Sequence, residues 1–291
     1  MKLIILSQRP SLYSTFRLAQ EAKKKKIKTQ TVNHLKCKLT IEKDRPQVLI
    51  DMEELVGVNA IIPRIGASST FYGAAVVRQF EMQNVYSCVS SDGLLRARDK
   101  LRCLQVLSKS GLNLPKTAFT NYSEDTKNLI RAIGGPPLII KLLEGTQGLG
   151  VVLVETRKAA ESVIEAFNKV RARIIVQEFI KESAGRDIRV IVIGGKVVAA
   201  MTRTAPEGEF RSNIHRGSVG EKIILNSDQE EAAIKAAAVM GLDTAGVDML
   251  FSERGPLIME VNASPGLEGI EKATGINVAE QFVKHILKSA R

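Results

Sequence analysis

Apolar and polar positions fall in blocks whose period switches between two and about 3.6, and the switches outline the elements. LIIL, Leu3 to Leu6, is a short unbroken apolar run of the kind a strand buried on both faces requires. It leads into a segment of helical period with Leu12, Phe16, Ala19 and Lys23 on one face. VNAIIPRIG, Val58 to Gly66, leads in the same way into STFYGAAVVRQFEMQ. This pattern predicts a small doubly wound parallel sheet over residues 1–95. Its first turn lacks GxGxxG, so no dinucleotide is expected there. A helix from about Asp92 to Lys109 ends at Gly111 and passes through LPK into a second section. There the runs PLIIKLL, VVLVE, RIIVQEFI, DIRVIVI, KVVAAM (after a Gly194-Gly195 turn), GVDMLF and PLIMEVN alternate with helical segments. Antiparallel hairpins interleaved with helices predict α+β subdomains facing each other, so the chain reads as α/β followed by α+β.

Composition narrows the class. With 44% hydrophobic and 25% charged residues in 291, the chain has the balance of a globular protein. Four apolar residues before Ser7 are too few for a signal-peptide core, and no run approaches the ~18 residues of a membrane span. Cys37, Cys88 and Cys103 show no CxxC spacing and leave an odd thiol, which points to the cytoplasm. His34, His215 and His285 are too scattered in sequence for a His-rich zinc site. The net charge of +11 favours an acidic partner, whereas the Lys23 to Lys26 run reads as the solvated end of a helix.

KLLEGTQGLGVVLVE, Lys141 to Glu155, places Gly145, Gly148 and Gly150 between two apolar runs. Glycine lets backbone N–H groups crowd an anion without steric cost. A P-loop would need GxxxxGK[ST] before a helix, whereas Val151 and Val152 open a strand here. A strand, glycine loop and strand over a triphosphate is the arrangement of protein kinases, and it would aim Lys141 at the phosphates. An ordinary flexible hairpin has the same appearance. In GVDMLFSERGPLIMEVNASPG, Glu260 and Asn262 share a strand face. If SERGP forms the turn, Phe251 pairs with Leu257 and Asp248 falls opposite Glu260. Carboxylate and amide oxygens without His or Cys select hard ions such as Mg²⁺. A polar outer face on an edge hairpin is the plainer alternative, but Asp248 and Glu260 lie within apolar runs, where an unpaired buried carboxylate is costly. In RIIVQEFIKESAGRDIRV a strand runs into QEFI, whose backbone could read an adenine edge, and Asp187 could accept from ribose hydroxyls.

The order of these parts resembles the ATP-grasp superfamily across about Arg98 to Arg291. The wording of PRIGASSTFYGAAVVRQFE, ARDKLRCLQVL, LEGTQGLGVVLVE, EFRSNIHRG and MEVNASPGLEGIEKATG looks like the RimK family. The resemblance implies an N-terminal pre-ATP-grasp α/β domain over 1–95 and an ATP-grasp domain over 96–291, with a lid at about 115–178. It implies that Lys100 and Lys141 contact the α and β phosphates under the loop of Gly145, Thr146, Gln147 and Gly148. Glu178 and Phe179 would present backbone to adenine, with Ile180 beside it and Asp187 on the ribose. Arg211, Ser212 and Asn213 would lie by the γ phosphate, and Asp248, Glu260 and Asn262 would hold two Mg²⁺ ions, Mn²⁺ being the alternative. The family ligates L-glutamate to the C-terminus of a small-subunit ribosomal protein, and the resemblance implies a homo-oligomer, with a tetramer as one form.

Such ligases phosphorylate the acceptor carboxylate with ATP and let the glutamate amine attack the acyl phosphate, which needs positioning and cations more than a nucleophilic side chain. Arg189 and Arg203, on the central hairpin, are candidates for holding the transferred phosphoryl or acyl oxygen, with Arg211 and Asn213 beside them. Arg64 ends a predicted parallel strand, and Ser68, Ser69 and Thr70 precede a helix whose N–H groups favour an anion, so this corner is the candidate for a substrate carboxylate. A positive surface suits an acidic acceptor tail. Two other readings stay open: a ligase that makes free oligoglutamate or glutamylates a small molecule, and a basic ribosome- or RNA-binding protein with a regulatory nucleotide site. The absence of Trp and an aromatic content of 4% argue against a nucleic-acid stacking platform.

Overall fold

The computed structural model describes residues 1–120, 126–143, 150–212 and 217–290. Its N-terminal sheet is built from β1 (Lys2–Leu6), β2 (Lys28–Val32), β6 (Ala60–Pro63) and β7 (Tyr86–Ser87) in the order β2-β1-β6-β7, all parallel. The unbroken apolar run is explained by position: β1 is central, and Leu3 to Leu6 are fully buried. Between β2 and β6 lies a separate antiparallel sheet of β3 (Lys38–Thr40), β4 (Gln47–Ile50) and β5 (Glu53–Glu54). Helix α2 (Thr70–Met82) ties it down: Gln79 donates to the carbonyls of Thr40 and Gln47, and Tyr72 donates to that of Cys37 at 2.6 Å.

Helix α1 (Tyr13–Lys24) corrects the sequence reading. Its inward face carries Thr15, Leu18, Glu21 and Ala22, while Leu12 and Phe16 are 48% and 55% exposed. Two polar residues could be buried because each has partners: the Thr15 hydroxyl bonds that of Ser7 at 2.8 Å, and Glu21 accepts from Arg17 and Lys24. The predicted Asp92 to Lys109 helix is two helices, α3 (Ser91–Arg98) and α4 (Lys100–Lys109). Asp99 leaves the helical region and its carboxylate accepts the Arg102 N–H at 3.0 Å, so it stops one helix and caps the next. The break sets Lys100 at the start of a helix instead of in the middle of one.

After β8 (Thr117–Ala118) come α5 (Thr126–Ile133), β9 (Leu138–Leu142), β10 (Val151–Val154), α6 (Arg157–Lys169) and β11 (Ile174–Glu178). The strands form an antiparallel sheet ordered β10-β9-β11-β8, and α5 and α6 close a small core of its own around Ile130, Leu138, Ile140, Ile164 and Val176. The remaining sheet, β14-β13-β12-β15-β16, comprises β12 (Arg186–Ile193), β13 (Lys196–Thr204), β14 (Val219–Lys222), β15 (Thr244–Leu250) and β16 (Leu257–Asn262). Gly194 and Gly195, at φ +57° and +72°, make the two-residue turn between β12 and β13, a conformation that favours glycine. Helix α7 (Ser227–Val239) is closed at its start by Asn226 and Gln229 in a reciprocal capping box, and α8 (Glu268–Thr274) and α9 (Val278–Ser289) complete the chain.

The five-stranded sheet and the N-terminal sheet share one continuous apolar core. Their seam is stitched by polar contacts, among them Tyr13 and Arg17 donating to Glu271, and Tyr86 donating to Asp243 at 2.6 Å. Gly93, in α3, belongs to this seam: a Cβ there would stand 2.7 Å from the Gly241 carbonyl oxygen and 2.8 Å from Leu242. Gly93→Ala is therefore expected to lower unfolding free energy by about 1–3 kcal/mol, as overpacking against backbone does, despite the better helix propensity of alanine. Chemical denaturation at equilibrium measures it. Among the described residues, no helix is long and apolar enough to cross a membrane.

Candidate active site

The hairpin β15–β16 brings Asp248 opposite Glu260 and Gly246 opposite Asn262. It does so by a different register from the one the sequence suggests. Near the turn Leu250 pairs with Leu257 and Met249 with Ile258, and the register then slips at Met259 so that Asp248 meets Glu260. The reason is burial. Ile258 and Val261 are three apart and both buried (0% and 1% exposed), which strict alternation cannot achieve. One bulged residue lets both enter the core while Glu260 and Asn262 stay on the other face.

Asp248 is 2% exposed and is not left unpaired. The Arg189 side chain grips it with Nε and Nη2, and Arg203 Nη2 lies 3.1 Å from its Oδ2. Arg203, itself 4% exposed, also forks onto Asp187 with contacts of 2.7 and 2.6 Å. Strand register dictates this ladder: Asp187 faces Arg203 across β12–β13, and Arg189 faces Asp248 across β12–β15. Burial alone would raise the Asp248 carboxyl, but the guanidiniums of Arg189 and Arg203 hold it below its ordinary value. Burial likewise disfavours charge on Arg203, and Asp248 and Asp187 overcome it and raise its pKa. Asp187, read from the sequence as a ribose ligand, is thus 3% exposed with both carboxylate oxygens on Arg203. Arg203, read as a phosphoryl contact, has its fork engaged by two aspartates.

Lys141 sits on β9 opposite Val151, and its Nζ donates to Gln177 Oε1 at 2.7 Å. Gln177 is fixed in turn by donating to Thr117 at 2.7 Å. Lys100 reaches from the start of α4 to the Leu142 carbonyl, at 2.9 Å. Desolvation pushes the Lys141 ammonium down to about 8, with Glu260 opposing and Lys100 adding to the fall. Lys100 is lowered by the same burial, again against Glu260. Two lysines, one at the start of α4 and one on β9, are therefore both under the influence of one carboxylate. The glycine-loop residues Gly145, Thr146, Gln147 and Gly148, and Asn213, lie outside the described residues. Ser212 is buried and bonded to Asp187, and Arg211 forks onto Glu209 at 2.9 and 2.7 Å.

Glu178 closes β11. Its carboxylate accepts from the Lys116 N–H and from Arg254, both at 2.6 Å. Phe179 N–H donates to the Pro137 carbonyl at 3.3 Å, and Ile180 is buried. The turn of the β15–β16 hairpin lies against this segment and the one before β8. Ser183 donates to the Phe251 carbonyl at 2.9 Å, Arg186 covers the Phe251 ring at 5.3 Å, and Asn113 bonds both the Arg254 carbonyl and the Ile258 N–H.

In the N-terminal corner, Arg64 follows β6 and donates to the Pro265 carbonyl at 2.7 Å. The neighbouring hydroxyls are engaged within the protein: Ser69 is buried against His34 Nε2 at 3.0 Å, and Thr70 donates to the Ala67 carbonyl at 2.9 Å, while Ser68 is exposed. A cation the sequence reading did not single out, Arg98 at the end of α3, takes its place here. It donates to the Ile65 carbonyl at 2.5 Å, and burial lowers its pKa while Glu260 opposes.

The donor set fits a hard divalent cation. Asp248, Glu260 and Asn262 offer only oxygen, and Asn262 Nδ2 donates to Glu260 Oε1 at 3.0 Å, which leaves the amide oxygen for an ion. Comparison with known proteins agrees in fold. Residues 1–94 match the RimK PreATP-grasp domain and residues 97–286 the RimK-like ATP-grasp domain. A protein of Aliivibrio fischeri (strain MJ11), named probable alpha-L-glutamate ligase, is 56% identical over 290 residues, covering 100% of this chain and 96% of its own. One of the same name from Syntrophotalea carbinolica is 55% identical over 291 residues, covering 100% and 97%. Among solved structures, the ATP-grasp ligase PsnB complexed with a phosphomimetic variant of its minimal precursor, Mg and ADP superposes with a TM-score of 0.78 at 17% identity, covering 100% and 98%. The RimK domain protein of Sphaerobacter thermophilus gives 0.71 at 19%, covering 99% and 100%. With both halves matched and relatives aligned along its whole length, the chain belongs to the RimK family and has the ATP-grasp fold with its pre-ATP-grasp domain.

Proposed function

We propose that this protein is an ATP-dependent ligase that joins L-glutamate to the C-terminal carboxylate of a small-subunit ribosomal protein. The observation that carries the ligase chemistry is the approach of Lys100 to the main chain beside Lys141, with both charges felt by Glu260, next to the oxygen donors of Asp248 and Asn262. Two lysines beside one carboxylate suit a polyanion accompanied by a divalent ion. The names of the relatives support glutamate as the incoming amino acid.

In this reading an acceptor carboxylate oxygen takes the γ-phosphoryl group of ATP, giving an acyl phosphate and ADP. The glutamate amine then attacks the acyl carbon, the C–O bond to phosphate breaks, and the amine sheds a proton. Asp248, Glu260 and Asn262 would hold Mg²⁺, which would supply neutralisation of phosphate charge. The lysines fix the phosphates as point charges, and Arg189 and Arg203 keep Asp248 ionised and aimed. An acidic acceptor fits the distribution of charge: residues 1–50 carry 12 Lys and Arg against 3 Asp and Glu. Three buried, unpaired cysteines suit a reducing cytoplasm.

Intact-protein mass spectrometry of small-subunit ribosomal proteins after incubation with this protein, ATP, Mg²⁺ and glutamate tests the reading. A ladder of glutamate additions on one C-terminus is the expected result. Glutamate-dependent ADP release without a ladder would shift the acceptor to a small molecule or free glutamate. A further expectation comes from Lys141. Because burial pushes its ammonium down to about 8 and a bound polyanion would raise it again, ATP binding near pH 8 should take up a fraction of a proton at this lysine, and at pH 6.5 almost none. Calorimetry in buffers of different ionisation enthalpy reads this directly, and Lys141→Arg should abolish the uptake.

A further inference from the structure

The other arginines beside the ladder have carboxylate partners: Arg189 and Arg203 hold Asp248 and Asp187. Arg64 and Arg98 do not. Among the described residues neither forms an ion pair, and their hydrogen bonds go to the main-chain carbonyls of Pro265 and Ile65. Arg98 Nε is sealed from solvent and has no acceptor among the described residues. The two guanidiniums are close enough to repel. Burial pushes Arg64 down to about 10, the Cys88 thiol opposing and Arg98 adding to the fall. Two half-buried cations beside each other, hydrogen-bonded only to carbonyls and with Glu260 as the one nearby negative charge for Arg98, are a costly arrangement in the free protein, and an anion between them recovers much of that cost.

The chemistry of the anion follows from the donors. A guanidinium presents a planar fork that takes a carboxylate or a phosphate through two parallel hydrogen bonds, and in the ligase reading the phosphates fall to the lysines, which leaves a carboxylate for this pair. The corner is also walled by the strand end before Arg64 and by the Pro265 loop that follows the Glu260 and Asn262 strand, so whatever binds there lies beside the reacting centre. We propose that Arg64 and Arg98 together form the receptor for a carboxylate of the incoming amino acid that does not itself react.

This assignment rests on the glutamate-ligase reading. Free glutamate carries two carboxylates that must stay intact while its amine attacks, and both need a fixed counter-charge. The acceptor, in contrast, must bring its own carboxylate to the phosphoryl group and enters from solvent on a longer chain. A site whose cations are half-buried suits the small reactant that can be enclosed whole. The Ser69 and Thr70 hydroxyls, engaged with His34 and Ala67, leave the recognition to the two arginines.

Arg98→Met tests the proposal, because it removes a half-buried cation that has no ion pair among the described residues and keeps most of the side-chain volume. The expected result is a glutamate KM raised about ten- to hundredfold, with the ATP KM changed less than about threefold, on the scale of a lost charge-assisted hydrogen bond. The melting temperature in the absence of ligands should hold or rise, which a merely structural arginine would not allow. Arg98→Lys, which keeps the charge and loses the fork, should lie between wild type and Arg98→Met and guards against a folding defect. In a second readout, glutamate added with ADP and Mg²⁺ should raise the melting temperature of wild type and not of Arg98→Met. An unchanged glutamate KM in both variants overturns the receptor while leaving the ligase reading standing. A raised KM for ATP or for the acceptor instead overturns the assignment to the amino acid. Failure of the wild type to release ADP in response to glutamate overturns the ligase reading and this inference with it.

Discussion

Asp248→Asn is expected to abolish glutamate-dependent ADP release and to lower the unfolding free energy by about 3–5 kcal/mol, the scale on which a broken buried ion pair destabilises. Both effects come from one carboxylate. In the wild type its two oxygens neutralise Arg189 and part of Arg203 in a site almost closed to water. Asparagine has nearly the same shape and none of the charge, so two guanidiniums stay buried with less compensation. A turnover assay should show a loss of at least about a hundredfold, since an outer-shell partner of a metal site alone costs 10–100-fold. The pH dependence has a definite sign. The carboxyl is held below the 3.8 of an unperturbed aspartate, so its contribution is complete above that value and disappears as pH falls through the lower, folded-state one. The gap in stability between wild type and Asp248→Asn should be flat from about pH 5 upward and should close in strong acid. A gap that widened on acidification would overturn the pairing.

Arg203→Met should destabilise by a similar amount, about 3–5 kcal/mol, because it strands Asp187 and leaves Asp248 to Arg189 alone. A residue that only reached for a phosphoryl group would cost activity and leave stability untouched. The double variant Asp187→Leu with Arg203→Met discriminates further. It removes both members of a bidentate pair, so its cost should fall well short of the sum of the two single changes, a coupling on the order of 1–3 kcal/mol. Urea unfolding of the four proteins closes the cycle. Additive costs would mean that Asp187 and Arg203 do not depend on each other.

The parallel strands were legible because burial on both faces leaves unbroken apolar runs, as in Leu3–Leu6 and Ala60–Pro63. The pairing of Asp248 with Glu260 was legible as well, although the bulge at Met259 was not. Its signal, two strongly apolar residues three apart in a short strand, could have been read at Ile258 and Val261. The inward face of α1 was misread because periodicity counts apolar side chains, whereas this helix buries Thr15 against Ser7 of the preceding loop and Glu21 against Arg17 and Lys24 of its own turns. The break between α3 and α4 also left a trace, an aspartate at a capping position inside a helical pattern. The residues around β3–β5 offered only short strands and no motif. Arg98 could not have been singled out from sequence at all. What distinguishes it is a buried Nε with no acceptor and the lack of an ion pair among the described residues, and that is a property of the assembled seam.

The hairpin turn that carries Arg254 has a mechanical consequence. The chain enters the β8–β11 sheet beside Asn113 and leaves it through Glu178 to Arg186, and both crossings are bonded to that one turn. A sheet whose two chain crossings share one anchor pivots most readily about an axis through that anchor, and the Lys100 bond to the Leu142 carbonyl is a further tie that such a swing has to release. Lys141 lies three residues along β9 from Leu138, the partner of Glu178, and so about 10 Å from that axis at a strand rise of roughly 3.3 Å per residue. A swing of about 10° moves it by about 2 Å together with Gln177 of the same sheet, so the Lys141–Gln177 bond travels with it while its distance to groups on the other sheet changes. The axis passes through the tip of the hairpin whose other end bears Glu260 and Asn262, so small rotations sweep the lysine past those oxygens while leaving them in place.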